Sequence, residues 1–90
     1  MVRAHMLISG LVQGVCYRWF ARKEADSLGL TGYVKNLYDA RVEVVVEGER
    51  GLIEEFIKML KVGPSSSDVR DLKIEWREYK GEFSGFAVRY

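Results

Sequence analysis

Along residues 3–11 apolar and polar side chains alternate, with Ala4, Met6 and Ile8 on one side, Arg3, His5 and Ser9 on the other, and Leu7 the exception. A period of two over that length predicts a half-buried β-strand. The pattern breaks over residues 12–18, around Gly14, and resumes with helical spacing over 19–28, where Ala21, Ala25 and Leu28 share a stripe that leaves out Arg22, Lys23 and Asp26. Gly29 predicts the stop, since glycine takes a left-handed backbone without steric cost. Residues 31–37 read as a short strand. Residues 41–47 alternate strictly, Val42, Val44 and Val46 inward and Arg41, Glu43 and Glu47 outward, with a tight hairpin connection at 38–40. The strongest helix spans 49–62: Ile53, Phe56, Ile57 and Leu60 recur at i, i+3, i+4 and i+7, and Gly63-Pro64 ends the ladder. After a polar loop at 65–68, residues 69–79 predict a long strand with Leu72, Ile74 and Trp76 toward the core and Asp71, Lys73, Glu75 and Arg77 toward water. Residues 81–85 turn the chain into a last short strand at 86–90.

The order is β-α-β-β-α-β with an extra C-terminal strand. Each helix carries one apolar stripe and most strands one apolar face, so the economical packing puts two helices on one face of a mainly antiparallel sheet. This is an α+β, ferredoxin-like sandwich, expected as one domain over residues 1–90. The fold hosts enzymes, RNA-binding modules and metabolite sensors, and function has to be argued from a site.

Composition narrows the classes. A length of 90 residues is too short for two stable cores, and 48% hydrophobic with 30% charged residues is too apolar for disorder. Fourteen basic residues against 13 acidic ones leave a net charge of +1, which argues against coating nucleic acid or an acidic membrane by bulk charge. No apolar run approaches a membrane span and no signal-peptide core is present. One cysteine cannot close an internal disulfide, and one cysteine with one histidine is too little for a Cys/His zinc site. The expectation is a cytoplasmic, monomeric domain with no cofactor and no metal. Gln13 and Asn36 are the single glutamine and single asparagine among abundant Lys and Glu, a composition of heat-tolerant proteins. Both fall in the segments that attract chemical interest.

Residues 10–18, Gly-Leu-Val-Gln-Gly-Val-Cys-Tyr-Arg, join the first strand to the first helix. The first N–H groups of a helix lack internal partners and its dipole favours negative charge, so such a junction can hold an anion. Gly14 allows close approach of backbone to a ligand, and Arg18 could offer a planar fork to phosphate oxygens. A turn glycine and a solvated arginine are the plainer reading of the same residues. Cys16 is either a reactive, oxidisable thiol or a small, partly buried filler.

The same residues resemble the signature loop of acylphosphatases, through Val12-Gln13-Gly14-Val15 and Tyr17-Arg18. A second signature of that family is similar to Gly32-Tyr33-Val34-Lys35-Asn36, followed by Val42 and Gly48. Gly63-Pro64 and the closing Phe86-Ala-Val-Arg-Tyr90 fit as well, so the resemblance covers nearly the whole chain. It implies that Arg18 binds the phosphate, that the backbone N–H groups of Gln13, Gly14, Val15, Cys16, Tyr17 and Arg18 form the cradle, and that Asn36 holds the attacking water. It implies hydrolysis of a small acyl phosphate to a carboxylate and inorganic phosphate, without metal or cofactor, with phosphate as product and competitive inhibitor. Ala40 departs from the family, which usually has glycine in this hairpin; a positive φ there would cost about 1 kcal/mol.

The chemistry agrees with those roles. Phosphoryl transfer depends mostly on positioning and charge stabilisation, which amides and one arginine supply. A carboxylate is a good leaving group and needs no strong general acid. Asn36 can orient a water but not deprotonate it. Three rivals are weaker. Cys16 and Arg22 have the C-x5-R spacing of cysteine phosphatases, but the five residues between them contain no glycine to wrap a phosphate. An RNA-recognition module needs exposed aromatics on its central strands, and residues 41–47 offer carboxylates instead. A non-catalytic relative, or the front domain of a hydrogenase-maturation carbamoyl transferase, is disfavoured by Arg18 with Asn36 and by a chain ending on its final strand. His5 is expected as a solvated sheet residue, Trp19 as either a wall of the site or a partly exposed packing residue, the latter favoured, and Tyr17 as an anchor of the loop to the core.

Overall fold

The computed structural model describes residues 1–90. Its elements are β1 (Val2–Leu11), α1 (Tyr17–Ser27), β2 (Thr31–Asn36), β3 (Val42–Gly48), α2 (Arg50–Val62), β4 (Asp68–Arg77) and β5 (Phe86–Arg89). The strands form one sheet in the order β4-β1-β3-β2-β5. β1 runs antiparallel to β3 and β4, β2 runs antiparallel to β3, and β5 adds in parallel to β2. The expected ferredoxin-like sandwich is therefore the observed one, with the extra strand closing the edge beside β2.

The core lies between the sheet and the helices. Ala4, Met6 and Ile8 of β1 and Val42, Val44 and Val46 of β3 are buried against Ala21 and Ala25 of α1 and Ile53, Phe56 and Leu60 of α2. These are the residues that periodicity assigned inward, because a period-two face and a 3.6-period stripe can both be hidden only by stacking one on the other.

Three expectations need correction. Helix α1 begins at Tyr17 rather than residue 19, and its buried stripe is Tyr17, Ala21 and Ala25, with Leu28 at the C-cap. Tyr17 is thus the first residue of the helix and not the end of the loop, and its hydroxyl donates to the Leu60 carbonyl at 2.6 Å. Ile74 is 37% exposed, because β4 is the edge strand and its rim extends past the helices.

The third correction concerns the far face of the sheet. Glu47 and Arg3 were expected outward, but they are only 1% and 9% exposed. The segment between β4 and β5 crosses this face: the Lys80 backbone N–H donates to Glu47 Oε2 at 2.8 Å, Glu82 pairs with Arg3, and the Arg3 guanidinium lies 5.1 Å from the Phe83 ring centre. Val45 is buried on the same face. His5 is likewise not a free solvated residue: it is half-buried and its Nε2 lies 2.9 Å from Glu43 Oε2.

The end of β1 is shaped for the loop that follows. The register with β4 shifts between Ser9 and Gly10, and a Cβ on Gly10 would sit 2.1 Å from the Asp68 carbonyl oxygen. Only glycine lets the strand bulge there and leave the sheet toward α1. No helix is long and apolar enough to cross a membrane.

Candidate active site

The β1–α1 loop contains two left-handed residues one position apart, Gly14 with φ 72° and Cys16 with φ 62°. Such alternation curls a short loop so that successive N–H groups point to one side, as in anion-binding nests. No backbone N–H of residues 13–16 donates to a backbone carbonyl. Those of Tyr17 and Arg18 stand at the start of α1, before any intrahelical acceptor exists. A non-glycine residue in this conformation is strained, and strain of this kind persists where surrounding contacts enforce it.

Three contacts do so. Tyr17 anchors the first turn of α1 through Leu60, as expected of it, and burial pushes its phenol far above the ordinary range, so that it acts as a neutral donor. Ser66 Oγ donates to the Val15 carbonyl at 3.0 Å, bracing the loop from the α2–β4 connection. The Gln13 side chain reaches the β2–β3 hairpin, donating from Nε2 to the carbonyls of Leu37 at 2.8 Å and Arg41 at 3.0 Å.

The hairpin is itself tightly closed. Leu37 N–H donates to the Arg41 carbonyl at 2.8 Å, and the Asp39 carboxylate grips the Arg41 guanidinium at 2.7 Å. Hydrogen bonding to that guanidinium holds the Asp39 carboxyl below the usual carboxylate range. Ala40 takes φ 74°, so the turn does require the left-handed backbone that glycine would supply more easily.

Arg18 and Asn36 line one cleft of about 290 Å³ with Gly14, Cys16 and Tyr17. The Arg18 guanidinium stacks 4.5 Å from the Tyr90 ring centre and donates through Nη1 to the Arg89 carbonyl at 3.2 Å. One edge of the planar fork is thus held by the β5 end of the sheet. Asn36 sits at the last position of β2, and its Oδ1 is buried without a hydrogen-bond partner. A buried carbonyl oxygen left unpaired costs free energy, and the residue that carries it lines the cleft. The fold therefore brings the expected loop, arginine and asparagine together.

Other placements differ from expectation or were missed. Cys16 is exposed on the cleft wall and is no buried filler. Trp19 is 61% exposed and lines the cleft, the first of the two roles open to it in the sequence. Arg22, Val88 and Tyr90 also line the cleft. Arg22 was legible in principle, since it follows Arg18 by one helical turn. Tyr90 was not, because only the parallel pairing of β5 with β2 brings it there. The role of the Gln13 side chain was missed as well; only its backbone had been considered. His5 lies on the far face, away from the cleft. No group of three or more His, Cys, Asp or Glu side chains is placed to hold a metal ion.

The chain was compared with known proteins. The acylphosphatase family model matches residues 4–88. An acylphosphatase of Aeropyrum pernix is 48% identical over 100% of this chain and 90% of its own length. One of Pelotomaculum thermopropionicum is 42% identical over 98% of this chain and 96% of its own. The crystal structure of acylphosphatase from Bacillus subtilis superimposes with a TM-score of 0.97 at 33% identity, covering 100% of both chains. With fold, loop and full-length similarity in agreement, the chain belongs to the acylphosphatase family of enzymes.

Proposed function

We propose that this enzyme hydrolyses the carboxyl–phosphate bond of acyl phosphates through Arg18, Asn36 and the backbone N–H groups of residues 13–18, without a metal ion. The observation that carries this reading is the shared cleft, which Arg18 and Asn36 line together with the curled loop. The loop's N–H groups and Arg18 would hold the phosphoryl oxygens, where charge is spread in the transition state. Asn36 would accept from a water and set its oxygen in line with phosphorus. As the new P–O bond forms, the bond to the acyl oxygen breaks and its electron pair leaves on the carboxylate. The water's proton passes to a phosphoryl oxygen of the substrate, since no Asp, Glu or His side chain lines the cleft to take it. Cys16 shapes the loop and takes no part in bond making.

The test is a continuous assay of benzoyl phosphate hydrolysis in EDTA, with inorganic phosphate as competitor. The expected result is turnover that survives chelation and competitive inhibition by phosphate. Activity that vanishes in EDTA and returns with magnesium would overturn the metal-free mechanism, and purely noncompetitive inhibition would put the anion site elsewhere. Cys16→Ala should keep most of the activity; a loss beyond about a hundredfold would give the thiol a chemical role.

A further inference from the structure

Resting on the acyl phosphate reading, we propose that Arg22 and Trp19 form a second recognition site beside the cradle, for a carboxylate carried on the acyl group of the substrate. Arg18 and Arg22 are the charged side chains of the cleft, and no Asp or Glu side chain lines it. Arg18 is engaged by Tyr90 and the Arg89 carbonyl and serves the phosphoryl group. Arg22 has no such duty. Its contact with Asp26, Nε to Oδ2 at 3.7 Å, is longer than a hydrogen bond and joins two side chains that are more than half exposed.

Arg22 also belongs to an adjoining groove formed with Trp19, Lys23 and Asp26, and the two hollows meet at Trp19 and Arg22. Lys23 Nζ lies 5.2 Å from the Trp19 ring centre, which adds a second positive charge to this wall. Two cations, Arg22 and Lys23, stand against one carboxylate, Asp26, on this wall, which leaves it net positive. In-line displacement expels the acyl group on the side away from the water. Asn36 enters the cleft from the sheet, whereas Trp19 and Arg22 enter from the helix. The departing acyl chain therefore runs along Trp19, whose exposed ring covers apolar carbons, toward Arg22, about 5–6 Å from Arg18 at the Cβ atoms as any i, i+4 pair is. A guanidinium there meets a carboxylate with paired donors. The favoured substrates are acyl phosphates with a second, distal carboxylate.

The experiment compares kcat/KM for benzoyl phosphate and 3-carboxybenzoyl phosphate at low salt, in the wild type, Arg22→Met and Arg22→Glu, with the inhibition constant of inorganic phosphate measured for each. The wild type should prefer the carboxylated substrate. Arg22→Met should lose about fivefold on that substrate while benzoyl phosphate falls less than twofold, a size fitting a part-solvated ion pair. Arg22→Glu should reverse the preference, and the phosphate inhibition constant should stay constant throughout. Equal losses on both substrates, or weaker phosphate inhibition, would place Arg22 on the phosphoryl group and overturn the proposal. Absence of any preference in the wild type would also overturn it. Failure of the wild type to hydrolyse benzoyl phosphate would instead overturn the hydrolase reading on which it rests.

Discussion

Gln13 Nε2 donates a hydrogen bond to the Leu37 carbonyl at 2.8 Å, tying the β1–α1 loop to the residue that follows Asn36. The same nitrogen reaches the Arg41 carbonyl at 3.0 Å, so one side-chain amide spans both ends of the hairpin. The loop and Asn36 come from different parts of the chain, and this amide holds them in one geometry.

Breaking that tie should therefore disturb turnover more than binding. Gln13→Ala should lower kcat by about 10- to 100-fold, the scale of a reacting group displaced by an ångström, with a smaller change in KM. Gln13→Glu should be worse, because its carboxylate would face two carbonyl oxygens with no hydrogen to offer. Steady-state kinetics beside urea unfolding decide the matter: a lowered unfolding midpoint with unchanged kcat would make the bond purely structural.

Arg18 and Asn36 should separate kinetically. The phosphoryl group is anionic throughout, so Arg18→Ala should weaken binding and slow turnover, and Arg18→Lys should rescue little because a point charge lacks the fork. Asn36→Ala should lower kcat by about 10²-fold with KM nearly unchanged, the mark of an interaction made chiefly in the transition state. A raised KM with intact kcat in folded Asn36→Ala would rule out the water-holding role. Wild-type kcat/KM in folded Arg18→Ala would rule out the site.

The Arg3–Glu47 pair is a stability device distant from the cleft. Arg3 Nη1 lies 3.7 Å from Glu47 Oε2 with both side chains nearly inaccessible. Glu47→Ala leaves Arg3 with Glu82 alone and takes the acceptor from the Lys80 N–H, so it should cost about 1–3 kcal/mol. The double variant Arg3→Met/Glu47→Leu should recover part of that loss, since apolar residues of similar size leave no charge to bury. Urea unfolding of the single and double variants measures both effects.

Acid should weaken the far face through Glu43. Burial alone would raise its carboxyl, but hydrogen bonds from His5 and Tyr33 outweigh burial and hold it below the usual carboxylate range. A lowered folded-state value means stabilisation present at neutral pH and lost as pH falls through that depressed value. The unfolding midpoint should drop between pH 5 and pH 3, and Glu43→Gln should show a shallower drop. Equal slopes in the two proteins would show that Glu43 contributes nothing to acid sensitivity.

Element order and the helix-facing core were legible in the chain because periodicity is a local property. Val42, Val44 and Val46, or Ile53, Phe56 and Leu60, announce a buried face without reference to any other segment. The place of the β1–α1 loop was legible for a similar reason: Gly14 and a strand-to-helix junction shape the backbone locally, and the family resemblance rests on contiguous residues. The φ of 74° at Ala40 was not legible in this way: only the glycine usual in the resembling family pointed to it, and a differently shaped turn stayed open.

Whatever depends on a segment distant in sequence was decided by tertiary structure. Alternation assigned Glu47 and Arg3 to water because it cannot register a crossing loop about thirty positions after the one and about eighty after the other, yet Lys80 and Phe83 bury them. Ile74 kept an apolar side chain on the correct face and lost its cover because β4 became an edge. The candidate site follows the same division. Its residue types could be named from the chain, but the clamp of Gln13 on the hairpin, the Tyr90 ring on Arg18 and the opening of Arg22 and Trp19 into the cleft arise only from docking β5, the hairpin and α1 together. A sequence pattern specifies which face of an element must be hidden; the packed sheet and helices decide what hides it and which polar groups meet there.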